Sequence, residues 1–429
     1  MAHSLKIAII GSGTAGLAVA AYLHQDGHFP EIFERFDEPK PLGAGLLLQP
    51  TGLACLARLG LDQKAIDHGA LIHNIYGRAS KNNVIFDISY RDLKPHYFGV
   101  GIHRGTLFTL LYDEVLRLNI PVHTGYEITD THCKNDKRFI TDKNGKTYGP
   151  FDLVIDASGM RSPLRKQGQI KLNKPYPYGA IWGVLDDPDQ AFGKDYLQQR
   201  YDGAHIMVGM LAIGRSPDCE TPKCTFFWSL PPGGYEEWLK NGLDQWKETV
   251  IGYWPELAPF MDQFKSTDDL THAQYSDIIM KRWHEDRLVF IGDAAHNTSP
   301  QLGQGANLGL ADALILSQVL SQYDDVNKAL CAYSKTRKNH IYFYQIASRW
   351  LTPFFQSHHK FAGLIRDLSF GLLCKTPYVK TEMLRTLAGI KTGLFTHMNP
   401  GKWHKRYDLC APSTDNQPSY LTNKPNNGK

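Results

Sequence analysis

The feature that most constrains this chain is a short glycine pattern, Gly11-Ser12-Gly13-Thr14-Ala15-Gly16, lodged between two segments of opposite habit. Before it, Leu5–Ile10 reads LKIAII, the apolar run of a strand buried on both faces. After it, Thr14–Gln25 is rich in alanine and leucine and predicts a tightly packed helix ending near Gly27. A second strand over Glu31–Glu34 completes a βαβ start. In that context Gly11 permits the tight turn, Gly13 lets the backbone approach a pyrophosphate, and Gly16 lets the helix lie against the strand. The anion sits on free N–H groups at the helix start, so all six residues are cofactor-binding candidates. Glu34 ends the second strand, 18 residues beyond Gly16, where an acid accepts hydrogen bonds from a ribose. A bare strand–turn–helix is the competing reading; the flanking context favours a dinucleotide site.

Two later glycine signals follow buried strands. Phe151–Ala157 runs into Ser158-Gly159-Met-Arg161-Ser162, with Asp156 two residues before Ser158. Alone, this is a generic strand-to-helix turn. Arg287–Ile291 runs into Gly292-Asp293, then Pro300, then Gly303-Gln304-Gly305-Ala306-Asn307, which opens a helix predicted over Gly303–Tyr323. Asp293 suits a ligand hydroxyl or a simple helix cap, and the length of the pattern favours the ligand. The amides of Gly305, Ala306 and Asn307 at the helix start suit a partly anionic group.

The rest of the chain sets the organisation. Helices are expected over Leu53–Leu59 and Arg104–Leu118, and strands over Pro121–Thr129 and Arg138–Ile140, with a turn at Asn144-Gly145. Ile72–Tyr90 alternates as a hairpin does, around Lys81-Asn82-Asn83. From Lys171 to Thr271 the texture becomes aromatic-rich strands with many Gly and Pro. After Cys331 the patterns are helical and thick with Tyr, Phe and Trp, and from Pro412 the chain turns polar, as a disordered tail would. A chain of 429 residues exceeds one core, so two or three domains are expected. Seven scattered cysteines predict a reduced, cytoplasmic protein. The N-terminus leaves no room for a signal peptide, and no stretch is apolar for long enough to cross a bilayer. No nucleic-acid-binding motif is present. Net charge is +4, yet Cys331–Lys429 holds 15 Lys plus Arg against 4 Asp plus Glu.

In this order and spacing, the three glycine signals resemble the group A FAD-dependent aromatic hydroxylases, the para-hydroxybenzoate hydroxylase class. Ile32-Phe-Glu34-Arg35, Gly43-Ala-Gly45-Leu-Leu-Leu-Gln49-Pro and His103-Arg104-Gly105 resemble further family segments, so the likeness covers roughly residues 5–345. It implies an α/β fold: a Rossmann-like FAD-binding domain (1–71, 99–170 and 272–340), an inserted β-rich substrate domain (72–98 and 171–271) and a helical C-terminal region (341–411) before the tail (412–429). It implies FAD as cofactor, NADPH or NADH as electron donor, and hydroxylation of a small aromatic substrate by O2 through a flavin C4a-hydroperoxide. Carried over by position, Glu34 and Arg35 hold the adenosine side, Ile128 touches adenine, and Gly45 and Arg104 lie on the flavin side. Ser158 and Gly159 contact cofactor, Asp293 binds the ribityl chain, Gly303 and Gly305–Asn307 meet the isoalloxazine, and Pro300 lines the oxygen-reaction face.

One departure is that the middle motif of these hydroxylases carries Asp-Gly where this chain has Ser158-Gly159. That form, with Gly-Thr-Ala-Gly in the first motif, is closer to flavin-dependent halogenases, which use a separate reductase. Phe226-Phe-Trp228-Ser-Leu-Pro231 resembles a halogenase element and also reads as a core strand. A non-enzymatic GDI-like flavin-fold binding protein is a third reading, opposed by the intact Gly-Asp loop. Substrate contacts are expected from Trp182, Tyr201, His205 and Phe227, with Met207 and Trp228 as further candidates. For the basic C-terminal region three readings stand: a cap on the FAD domain, which is favoured, a peripheral membrane contact, or a homodimer surface on an otherwise monomeric chain.

Overall fold

The computed structural model describes residues 4–39, 44–79, 83–166, 169–192, 195–357 and 360–410. The expected tail at 412–429 and residues 81 and 82 of the expected hairpin turn lie outside them.

The first layer is a six-stranded sheet in the order β19 (His284–Glu285), β20 (Leu288–Phe290), β11 (Leu153–Asp156), β1 (Lys6–Ile10), β2 (Phe29–Glu34), β7 (Val122–Thr124). All neighbours run parallel except β19, which folds back on β20. β1 and β11 are the centre, and their apolar residues are buried because helices cover the sheet. Helix α1 (Thr14–Gln25) packs against α9 (Gly305–Gln322), where Ala15 meets Gly309. Gly16 is obligatory for packing: a Cβ there would stand 2.1 Å from the Gly11 carbonyl oxygen.

The second layer is a nine-stranded sheet. Its order is β17 (Thr271–Ala273), β13 (Gly179–Asp186), β16 (Cys219–Leu230), β15 (Ile206–Ser216), β14 (Asp195–Asp202), β4 (Ala70–Ala79), β6 (Gly99–His103), β3 (Gly45–Leu48), with β5 (Val84–Ser89) on β4. β12 (Ile170–Pro175) and β18 (Ser276–Met280) pair as a separate ribbon. The expected divisions at 71/72 and 98/99 do not coincide with breaks in this layer, because β4 runs through the first and pairs with β6 beyond the second.

Two sequence expectations change. Pro121–Thr129 is not one strand. Gly125 adopts φ +78°, and the amides of Gly125 and Tyr126 turn back to the Phe36 and Glu34 carbonyls. The chain then leaves the parallel sheet and enters an antiparallel trio, β8 (Ile128–Lys134), β9 (Lys137–Asp142) and β10 (Thr147–Phe151). The segment 171–271 is not all strand either, since α5 (Gly234–Asn241), α6 (Leu243–Tyr253) and α7 (Ala258–Met261) lie within it. Trp238, Trp246, Val250 and Met261 from these helices bury against Phe226 and Trp228 of β16. Dense aromatic residues concealed their helical spacing.

Helices α2 (Pro50–Arg58), α3 (Asp62–His68), α4 (Arg104–Arg117) and α8 (Asp293–His296) fill in around the layers. The C-terminal region is α10 (Val326–Phe355), α11 (Lys360–Leu373) and α12 (Pro377–Leu387). α10 buries a stripe at three- and four-residue spacing from Val326 to Phe355, so the 340/341 division falls inside one continuous helix. The charge asymmetry has a structural outlet. Arg337 pairs with Asp312 (2.7 Å), Arg349 with Asp277 (2.6 Å), Lys380 with Asp92 (2.7 Å) and Arg406 with Asp62 (2.5 Å), each joining a late cation to an earlier acid.

The Arg337–Asp312 pair is fully buried. Burial alone would raise the Asp312 carboxyl, but the charges of His296 and Arg337 and the Gly292 amide outweigh it and hold the group well below the usual carboxylate range. A carboxyl depressed on folding stabilises the protein above its unfolded pKa of about 3.9 and loses that contribution as pH falls below it. Arg337→Ala leaves a buried, unpaired carboxylate and is expected to lower stability by about 3–5 kcal/mol in denaturant titrations at neutral pH. An unchanged midpoint would show that the pair does not hold the helices together.

Candidate active site

The two layers and the C-terminal helices enclose one cavity of about 1700 Å³. Single small-molecule sites typically measure ~300–1,000 Å³, so there is room for two ligands.

One end is built from backbone. Gly11 takes φ +101° and packs on Ala157, whose carbonyl oxygen would lie 2.7 Å from a Cβ. Gly13, by contrast, would aim a Cβ into open space. α1 starts here with no side-chain cap and no acid in its first turn, so its amides face the cavity free to receive an anion. Glu34 closes this end: its carboxylate accepts from Ser12 N (2.8 Å), Ser12 Oγ (2.7 Å) and Phe36 N (3.0 Å). Arg35 and Ile128 line the same end.

The middle and last glycine signals meet at the centre. Asp156 is buried beneath the turn it forms and does not line the cavity. It accepts from Ser158 N (2.9 Å), Ser158 Oγ (2.6 Å) and Ser162 Oγ. Burial leads in raising its pKa above the ordinary carboxyl value, against those hydrogen bonds. Its work is to hold Ser158 and Gly159 (φ +84°) at the cavity wall. Arg165 then staples this turn to the next, donating to the carbonyls of Met160 and Ala294.

Opposite, Asp293, Pro300, Gly303, Gly305 and Ala306 line the wall where α9 begins, again without a side-chain cap. Two uncapped helix N-termini thus face one cavity. Asn307 is not on the lining. Its side chain accepts from Gln49 N (2.8 Å) and donates to Leu47 O (3.1 Å), pinning the β3 loop against α9. Gly45 and Arg104 face the cavity from that loop and from α4.

The far end is apolar. Trp182, Tyr201, Met207 and Phe227 from the second sheet line it, together with Leu351, Phe355 and Phe370 from the C-terminal helices. Trp182 Nε1 donates to Tyr275 Oη at 2.8 Å, and burial pushes the Tyr275 phenol up to about 12. Tyr275 therefore stays protonated at neutral pH with its own hydrogen available. Two expected substrate contacts fall elsewhere. His205 lies on the outward turn after β14, half exposed and 3.9 Å from Asp202, and Trp228 points into the helical side of the sheet. Tyr275, Gln49, Arg161 and the C-terminal wall were not assigned from sequence. Gln49 and Arg161 belong to the Gly43–Pro50 and Asp156–Ser162 segments; the others come close only through sheet pairing and helix packing.

The family profile described as "FAD binding domain" matches residues 4–342. The chain is 24% identical to the aurachin C monooxygenase/isomerase of Stigmatella aurantiaca, over 86% of this chain and 94% of that protein. It is 26% identical to the FAD-dependent urate hydroxylase of Klebsiella pneumoniae, over 79% and 87%. A crystal structure of Klebsiella pneumoniae HpxO complexed with FAD and uric acid superimposes with a TM-score of 0.76, at 20% identity, covering 91% of this chain and 98% of that one.

Because a Cβ at Gly13 meets no protein atom, Gly13→Val is expected to leave the melting temperature close to wild type. It should weaken FAD retention by roughly 1–3 kcal/mol, the range for overfilling a packed site. Asp293→Ala is expected to release FAD as well. Full flavin content in either variant after dilution would remove that residue from the site.

Proposed function

Since the chain belongs to the FAD binding domain family, we propose that it is an FAD-dependent monooxygenase that hydroxylates a small aromatic or heteroaromatic ring at the apolar end of its cavity, using O2 and NAD(P)H. The observation that carries this reading is one cavity with an anion-receiving backbone cradle at one end and an aromatic wall at the other.

The residues present fit FAD. The open space at Gly13 and the free amides of α1 suit a pyrophosphate, and Glu34 keeps acceptor capacity for a ribose beside them. Asp293 offers an acceptor for the ribityl chain, and the start of α9 offers positive dipole to a flavin ring. When bound there, the flavin supplies the hydride acceptance and oxygen activation that no amino acid side chain provides.

The protein's part is orientation and exclusion of water. Trp182, packed on Phe227, and Tyr201 would give an aromatic ring its apolar wall. Tyr275, held by Trp182 and kept protonated, would donate a hydrogen bond to a ring substituent. Pro300 would line the oxygen-reaction face without offering a proton. Ser158 in place of the family's aspartate leaves Gly159 at the wall, supported from beneath by Asp156. That arrangement favours direct reduction by NAD(P)H over dependence on a separate reductase.

Anaerobic stopped-flow mixing of holoprotein with NADPH or NADH, across a panel of phenols and nitrogen heteroaromatics, tests this. Flavin absorbance is expected to bleach, and to bleach faster with a ring that fits. A flavin that stays oxidised until a reductase is added would overturn direct reduction, and halide-dependent products would move the assignment to a halogenase. A purified protein that is colourless and rejects FAD would end the reading altogether.

A further inference from the structure

Helix α11 is built inside out. Its apolar residues Phe361, Leu364, Ile365, Leu368 and Leu372 recur at three- and four-residue spacing, so they share one face. All five are exposed, from 53% for Ile365 to 78% for Phe361. The buried face holds an arginine. Arg366 is 0% exposed, donates to Phe354 O at 3.0 Å and lies 4.6 Å over the Tyr201 ring. Gly363 fixes the orientation, because a Cβ there would come 2.7 Å from the Gly203 carbonyl carbon. The apolar stripe is therefore held outward.

The stripe continues into the cavity mouth. Trp350, Leu373, Tyr378, Leu394 and Phe395 all line the cavity and are all exposed, Trp350 at 77% and Phe395 at 76%. Of the eighteen exposed large apolar side chains among the described residues, eleven fall between 346 and 395, which makes a patch of them and not a scatter. The same stretch carries 7 Lys plus Arg against 2 Asp plus Glu, although Arg349 and Lys380 answer Asp277 and Asp92 from outside it. Both acids are paired, Asp367 with Arg366 and Glu382 with Arg385 and Lys391. Lys375 is exposed between Leu373 and Tyr378, and Lys338 is exposed on the cavity lining.

We propose that this face docks on an anionic phospholipid surface, with the cavity mouth opening against the acyl layer. Apolar side chains rimmed by Lys, Trp and Tyr match the chemistry of that interface. No helix among the described residues is long and apolar enough to cross a membrane, so the contact is peripheral. A second copy of the chain on this face would seal the mouth, whereas a fluid bilayer covers the patch and still admits an apolar substrate. Substrate entry from lipid rests on the monooxygenase reading; the docking itself does not.

Holoprotein of residues 1–429 is expected to float with vesicles of phosphatidylcholine containing phosphatidylglycerol, and far less with phosphatidylcholine alone or at high salt. The double variant Phe361→Glu/Leu368→Glu should bind roughly tenfold or more weakly, with flavin content and melting temperature unchanged. Vesicles with brominated acyl chains should quench tryptophan fluorescence in the wild type, and less so in Trp350→Phe. No flotation on anionic vesicles, undiminished binding of the double variant, or quenching indifferent to Trp350→Phe would overturn the proposal. So would a dimer in solution that the double variant splits. Flavin reduction by NADPH is measured in the same preparations without lipid, so a failed monooxygenase reading shows there and leaves the vesicle result standing.

Discussion

The Asp312 carboxylate, in the middle of α9 and fully buried, holds together parts of the chain that otherwise share no strand or helix. One oxygen accepts from the Gly292 amide (2.8 Å) and from His296 Nε2 (2.5 Å), and the other from Arg337 Nε (2.7 Å). Arg337 passes the connection on to His340 Nδ1, and His340 Nε2 donates to Gly389 O at 2.8 Å. Burial, then the Arg337 charge, hold His340 well below its ordinary pKa, which keeps it neutral, as that pairing requires. Gly292 at φ +59° aims Asp293 into the cavity. The same carboxylate thus positions a cavity-lining loop and fastens the C-terminal helices over it. A buried charge survives only when its partners are all in place, so loop and cap stand or fall together.

Around that anchor, the glycine-rich end of the cavity is made mostly of main chain. Gly11, Gly13 and Gly159 contribute by having no side chain, and α1 and α9 contribute uncapped N-termini. Groups of this kind offer directed N–H donors and a positive dipole without titrating. The titratable groups beneath them, Asp156 and Arg165, shape turns and carry hydrogen bonds between turns.

The apolar end has a different origin. Its wall joins β13 to β16 with α10 and α11, so residues from 182 to 370 share one apolar surface. The C-terminal region therefore covers α9 and also completes the cavity. Its cations divide accordingly: Arg337, Arg349, Lys380 and Arg406 are spent on acids of the earlier layers, while Lys338 and Lys375 remain at the surface near the mouth.

The parallel sheet and the glycine turn with its uncapped helix were legible in the sequence because their determinants are local. An apolar run, a glycine turn and an alanine-rich helix fix β1, Gly13 and α1 within twenty-odd residues of each other, whatever the rest of the chain does. Pro121–Thr129 was misread because its break at Gly125 depends on carbonyls of Phe36 and Glu34, far away in sequence. His205 looked like a substrate contact by composition, and only the outward turn after β14 removed it from the cavity. Tyr275 gave no local signal, and the aromatic C-terminal helices signalled a cap without showing which of their residues reach the cavity. The sequence by itself determined that a strand–turn–helix would present free amides to an anion, since backbone conformation answers to neighbouring residues. Only the tertiary structure decided which side chains face the apolar end of the cavity and which face solvent, because that depends on how sheets and helices from distant segments pack.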